Sequence, residues 1–260
     1  MQFWHTIVLG IIEGFTEFLP VSSTGHLLVA GHLLSIDHSE FFKTFVIVIQ
    51  LGAMLAAVLL YAKKVLTSKA LFTKVLLAFI PTSIIGFLFY KVIKNVLFEN
   101  MHTIALALLL GGVAILLFEK FFHKNDKPGA DIEVESLDSI SYTQSFWIGV
   151  AQSLAVVPGV SRSAATILGG LAMKIPRKAI VEFSFILAIP TIAAASFYDL
   201  IKTPVAWNSH EYALLASGFV LSFIFALVFM KWLLRYIEKN SFKIFGFYRI
   251  AIGLAILILI

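Results

Sequence analysis

There is no cysteine among the 260 residues, which excludes disulfides and thiolate metal sites. Charge is nearly as scarce: 13% of residues are charged against 60% hydrophobic, and the mean hydropathy is +0.95. That composition excludes a soluble domain. A basic n-region is also missing from the first 19 residues, which carry Glu13 and Glu17 instead, so no cleavable secretory signal is expected. The net charge of +5 comes from lysines clustered between apolar runs and points to control of membrane topology, not to nucleic-acid binding.

What is present is a series of apolar segments, roughly at 3–19, 24–34, 41–62, 71–93, 102–118, 145–157, 162–173, 179–201, 212–234 and 244–260. About 20 residues are needed to cross a hydrocarbon layer of roughly 30 Å. Segments 24–34, 145–157 and 162–173 are too short for that. They pair around Pro20 and Pro158, so 3–34 and 145–173 read as re-entrant helical hairpins. Irregular backbone at membrane depth must be buried in protein or line a wet cavity.

The chain also repeats itself. Pro20 and Pro158, Phe45 and Phe183, and Leu76-Leu77-Ala78 and Leu214-Leu215-Ala216 all recur at a spacing of 138, and Gly112–Leu116 resembles Gly253–Leu257 at 141. The fold expected is an all-α polytopic membrane protein of six transmembrane helices plus two re-entrant hairpins. Residues 1–122 and 144–260 form the two repeats, and the polar stretch 123–143 is a cytoplasmic linker. Three crossings per repeat is an odd number, so the copies insert with inverted topology, and sites of such folds lie near the midplane.

The lysines orient this plan. Loop 63–74, Lys120 with the linker, the turn 174–178 and the loop 231–243 carry 14 Lys and Arg residues on one side, against Lys43, Lys91, Lys94 and Lys202 on the other. By the positive-inside rule the rich side is cytoplasmic, and both termini and the mouth of the first hairpin face outward.

Chemistry concentrates in GIIEGFTEFLPVSSTGHLL, residues 10–28. Glu13 and Glu17 are one helical turn apart and share a face. Two carboxylates at membrane depth repel each other and call for a cation. Oxygen-only ligation suits Mg²⁺ or Ca²⁺, which can be shared with a phosphate. After Pro20, the residues Ser22, Ser23 and Thr24 can open a short helix whose N-terminus attracts an anion. Ser23 and His26, three apart, form a candidate nucleophile and base, with histidine itself open as nucleophile or acid. The second hairpin supplies PGVSRSAAT, residues 158–166. There Arg162, flanked by Ser161 and Ser163, suits bidentate phosphate binding, and Thr166 can add a hydroxyl one turn later. Glu182 and Arg249 carry no assigned chemistry and read as structural partners or as residues near helix ends.

EGFTEFLPVSSTGHLL at 13–28 and PGVSRSAAT at 158–166 resemble the two signature motifs of the bacitracin-resistance type undecaprenyl-diphosphatases, and FVIVIQLGAML at 45–55 resembles that family's second-helix segment. Ala164 departs from the glycine common there. The resemblance covers nearly the whole chain. It implies hydrolysis of undecaprenyl diphosphate to the monophosphate and inorganic phosphate outside the cytoplasmic membrane, recycling a lipid carrier for cell-wall polymers. Glu13 and Glu17 then match the metal-dependent glutamate motif, Ser23 and His26 the catalytic loop, and Arg162 with its flanking serines and Thr166 the phosphate-binding motif. Whether Ser23 attacks, or a water activated by His26 or a glutamate, is open. The competing class is a flippase or transporter of an anionic substrate, since inverted repeats with broken helices also serve alternating access. Small residues in the crossing helices permit close contacts, and a homodimer is compatible with them.

Overall fold

The computed structural model describes residues 1–36, 39–92, 100–122, 137–202 and 207–259. Much of the linker expected at 123–143 therefore lies outside the described residues.

The described chain is helical throughout, with no strand. Ten α-helices follow one another: α1 Phe3–Thr16, α2 Ser23–Leu33, α3 Glu40–Thr67, α4 Lys69–Val92, α5 Met101–Phe122, α6 Tyr142–Gln152, α7 Arg162–Ala172, α8 Arg177–Lys202, α9 Ser209–Ile237 and α10 Lys243–Leu259. Each falls on one of the apolar segments read from the sequence. Their ends follow local chemistry. Ser39, Ser141 and Asn208 accept N-terminal amide protons of α3, α6 and α9, the last two in reciprocal capping boxes with Gln144 and Glu211. Five helices, α3, α4, α5, α8 and α9, are long and apolar enough to cross a membrane.

The two halves interlock. α1 packs along α9 and α6 along α4, so each hairpin leans on a long helix of the other half; α3 packs on α8 and α9, and α5 on α10. Lipid offers no hydrophobic drive for such packing, so close approach of small residues has to provide it. A Cβ on Gly14 would stand 2.6 Å from the Ser222 carbonyl oxygen, and one on Gly149 would run into the backbone of Ala78. The α1–α9 and α4–α6 contacts therefore need hydrogen at these two positions.

Ion pairs gather at one end of the bundle, where the end of α3, the end of α5, the start of α8 and the turn after α9 meet. Arg177 grips Glu119 through both nitrogens (2.9 and 3.1 Å), Lys64 meets Glu182 (3.2 Å) and Lys178 meets Glu238 (2.8 Å). Glu119 also accepts the Phe242 N–H at 2.9 Å. Four segments that the sequence reading put on the lysine-rich side, those around Lys64, Lys120, Arg177 and Lys239, thus lie together.

Candidate active site

Both hairpins break in the same way. α1 ends at Thr16, the chain turns through Glu17–Val21, and α2 begins after Ser22. In the second half α6 tightens into a 3₁₀ turn, Ser153–Val156, and α7 begins after Ser161. The two N-cap serines share an unusual backbone, with φ of 74° at Ser22 and 75° at Ser161. A non-glycine residue held there costs on the order of 1–3 kcal/mol, and such strain collects at functional sites. These caps are 139 residues apart, one more than the proline spacing, so Pro20 corresponds to Gly159. Gly159 has φ +95° and packs so tightly on α5 that a Cβ would sit 2.8 Å from the Ile104 carbonyl oxygen. In this register Ser23 and Arg162 are equivalent: each is the first residue of its short helix.

Both reach Glu17. Ser23 Oγ donates to Glu17 Oε2 at 2.5 Å, and Arg162 Nη2 donates to Glu17 Oε1 at 3.3 Å. Arg162 Nη1 donates to the Ser184 carbonyl on α8 at 2.8 Å, and its guanidinium lies over the Phe18 ring. The arginine is thereby fixed by a carboxylate, a carbonyl and an aromatic face. Its Nε is buried without a hydrogen-bond partner.

These groups border a cavity of about 150 Å³ between the two loops, α3 and α8. At roughly 30 Å³ per water, that is room for a phosphate-sized anion. Glu17, Ser22, Ser23, Thr24, Ser161 and Arg162 line it, together with Gln50 from α3 and Thr191 from α8. A free helix N-terminus with its hydroxyls, joined by a guanidinium, forms an anion cradle.

The remaining candidates lie behind this wall. Ser163 is buried, and its hydroxyl bonds the Leu19 carbonyl (2.6 Å) and Ser161 Oγ (3.0 Å), tying one loop to the other. Thr166 is buried against α8, with Oγ1 on Ser184 Oγ at 2.6 Å. His26 turns away from Ser23. Its Nδ1 is 2.7 Å from the Ser22 carbonyl, which can only accept, so Nδ1 carries a proton; in the neutral ring Nε2 then accepts from the Tyr248 hydroxyl at 2.8 Å. The Tyr248 ring stacks on the imidazole.

Glu13 is wholly buried, both its oxygens lack hydrogen-bond partners, and it stands within electrostatic reach of Glu17 and Arg162. Unpartnered carboxylate oxygens beside a second carboxylate make an oxygen-only donor set that fits a hard divalent cation. Among the described residues no group of three or more His, Cys, Asp or Glu comes together, so further ligands would be hydroxyl, carbonyl, water or phosphate oxygens.

Four contributors were not singled out in the sequence: Gln50 and Thr191 on the cavity wall, Ser184, which holds Arg162 and Thr166, and Tyr248 behind His26. Gln50 did leave a signal, as the one polar residue in FVIVIQLGAML.

Comparison with known proteins finds relatives along almost the whole chain. A family described as "Bacitracin resistance protein BacA" matches residues 6–255. The undecaprenyl-diphosphatase of Aquifex aeolicus is 48% identical over 98% of this chain and 97% of its own length. That of Sulfurihydrogenibium sp. is 47% identical over 96% of each, and that of Thermus thermophilus 42% identical over 96% of this chain and 94% of its own.

Proposed function

The chain belongs to the bacitracin resistance protein BacA family, and from that premise we propose that it hydrolyses undecaprenyl diphosphate to undecaprenyl phosphate and inorganic phosphate, recycling the lipid carrier for cell-wall synthesis. The observation that carries the chemistry is the shared carboxylate: Glu17 holds the Ser23 proton on one oxygen while Arg162 braces the other.

Ser23 Oγ attacks the terminal phosphorus as its proton passes to Glu17. The bond from phosphorus to the bridging oxygen breaks, and undecaprenyl phosphate leaves with the bond's electrons. Water then attacks phospho-Ser23 and the Oγ–P bond breaks. The proton on Glu17 returns to Ser23, and the protons of the water leave with inorganic phosphate. Arg162 and the amides at the start of α2 and α7 face the charge that builds on the phosphoryl oxygens, fixed before reaction begins. Ser22, Thr24 and Ser161 offer hydroxyls to the same oxygens. Ser163, Thr166 and His26 act on the cavity from behind, by holding the loops that form it.

Glu13 and Glu17 would hold Mg²⁺ or Ca²⁺. When bound, the ion supplies positive charge that neutralises the diphosphate.

In the membrane, α10 at 17 residues joins the five longer helices as a sixth crossing, and α1–α2 and α6–α7 enter as inverted re-entrant hairpins. The lysine-rich end faces the cytoplasm, the termini and cavity mouth face outward, and the prenyl tail lies along apolar helix surface.

Phosphate release by the purified protein from undecaprenyl diphosphate, with and without EDTA, tests this reading. Transport of the lipid in liposomes without release would install the flippase instead.

A further inference from the structure

Arg249, the largest wholly buried side chain of the described residues, has no carboxylate partner. Its five N–H groups meet five backbone carbonyls. Nε donates to Leu108 (3.4 Å), Nη1 to Pro20 (3.2 Å) and Val160 (3.0 Å), and Nη2 to Ala107 (3.0 Å) and Gly159 (2.9 Å). A guanidinium has five N–H donors in a rigid fork, so the group is saturated. Pro20 belongs to the first broken loop, Gly159 and Val160 to the second, and Ala107 and Leu108 to α5.

We propose that Arg249 is a positioning residue for the phosphate site, a carbonyl clamp that sets the orientation of both loops at once. This rests on the phosphatase reading. In a trans peptide the N–H points opposite to the C=O, and no cis peptide occurs among the described residues. Drawing the Val160 carbonyl onto Arg249 therefore turns the Ser161 N–H away from the clamp, at a residue that lines the cavity. The Pro20 and Gly159 carbonyls, equivalent in the two loops, are held by the two ends of one guanidinium. Their separation is thus fixed, and with it that of Ser23 and Arg162, which must meet on Glu17. The cation, neutralised only by carbonyl dipoles, also adds positive charge beside a site that receives a diphosphate. Space for the clamp is provided by Gly111, where a Cβ would fall on Nη2. The neighbouring Tyr248 holds His26, so two consecutive residues of α10 hold both sides of the first loop.

The test compares wild type, Arg249→Lys and Gly111→Ala, with Gly86→Ala, whose Cβ would meet nothing within 4 Å, as control. Phosphate release from undecaprenyl diphosphate and inhibition by orthovanadate are measured on the folded, monodisperse fraction. Lysine keeps the charge but cannot span carbonyls on three segments. The expected result is a kcat about 10²-fold lower, with KM for the lipid within about threefold and vanadate inhibition weakened in proportion to kcat. Gly111→Ala, which leaves the arginine and displaces its fork, should show the same paired loss, and Gly86→Ala neither. Wild-type kcat and vanadate affinity in Arg249→Lys overturn the clamp. A lower kcat with unchanged vanadate inhibition also overturns it, by reducing Arg249 to a stabiliser, as does failure of both variants to fold. Absence of release from the wild type instead overturns the phosphatase reading.

Discussion

Arg162 Nη2 lies 3.3 Å from Glu17 Oε1, an ion pair that joins residues 145 apart across the two hairpins, with side chains only 10% and 8% exposed. Removing one member of such a pair leaves the other charge buried, at a cost of about 3–5 kcal/mol. Arg162→Ala is expected to lose activity and to melt at lower temperature. Arg162→Lys should retain more stability than activity, because one ammonium cannot reach both Glu17 and the Ser184 carbonyl. Melting curves and phosphate release, measured on the same preparations, check the split.

Glu17→Gln keeps the shape of the acceptor and removes its basicity. A fall in kcat of about 10²–10⁴-fold is expected, together with a lower melting temperature, because the buried Arg162 charge loses its carboxylate. Ser23→Ala should abolish a phosphoserine trapped by acid quench from labelled substrate. Near-wild-type turnover by Ser23→Ala would remove serine as the attacking group.

Glu13, with both oxygens buried and unpartnered, predicts a requirement for a divalent cation. EDTA is expected to abolish release and Mg²⁺ or Ca²⁺ to restore it. Glu13→Gln should shift the half-saturating metal concentration upward by about tenfold or more, since even changes to groups outside the ligand set typically cost 10–100-fold. A rate indifferent to EDTA would exclude the metal.

Gly14→Ala should cost about 1–3 kcal/mol, because its Cβ would meet the Ser222 carbonyl oxygen at 2.6 Å and the Ala226 nitrogen at 2.8 Å, atoms that cannot swing aside. Moving α1 off α9 also displaces the adjacent Glu13, so activity should fall further than stability. Thermal melts and kcat measured together show whether it does.

Much of this arrangement was legible in the sequence because polar residues in a greasy chain stand out. The hairpins announced themselves through Pro20, Pro158 and the short segments after them, and the ten helices fall where hydropathy put them. Glu17, Ser23 and Arg162 were found by residue type alone, and the structure brings them into direct contact. What the sequence concealed was mostly backbone. Arg249 binds carbonyls, which every residue possesses, so nothing in the sequence around it names its partners. The loop register followed the prolines to 138, whereas the strained caps at Ser22 and Ser161 define 139. His26 shares a helix with Ser23, but a single φ at Ser22 and a tyrosine 222 residues away decide where its ring turns.

The interlocking of the halves governs how the protein is made. Thr16 ends α1, yet α9, the helix it packs against, does not begin until Ser209, 193 residues later in synthesis. At about 5–20 residues per second, a ribosome takes some tens of seconds to cover that distance. Arg162 follows Glu17 by 145 residues and so is made before α9, but through the whole interval Glu13 and Glu17 lack the supporting helix. The packing of α1 is therefore completed only after α9, in the second half, has been made.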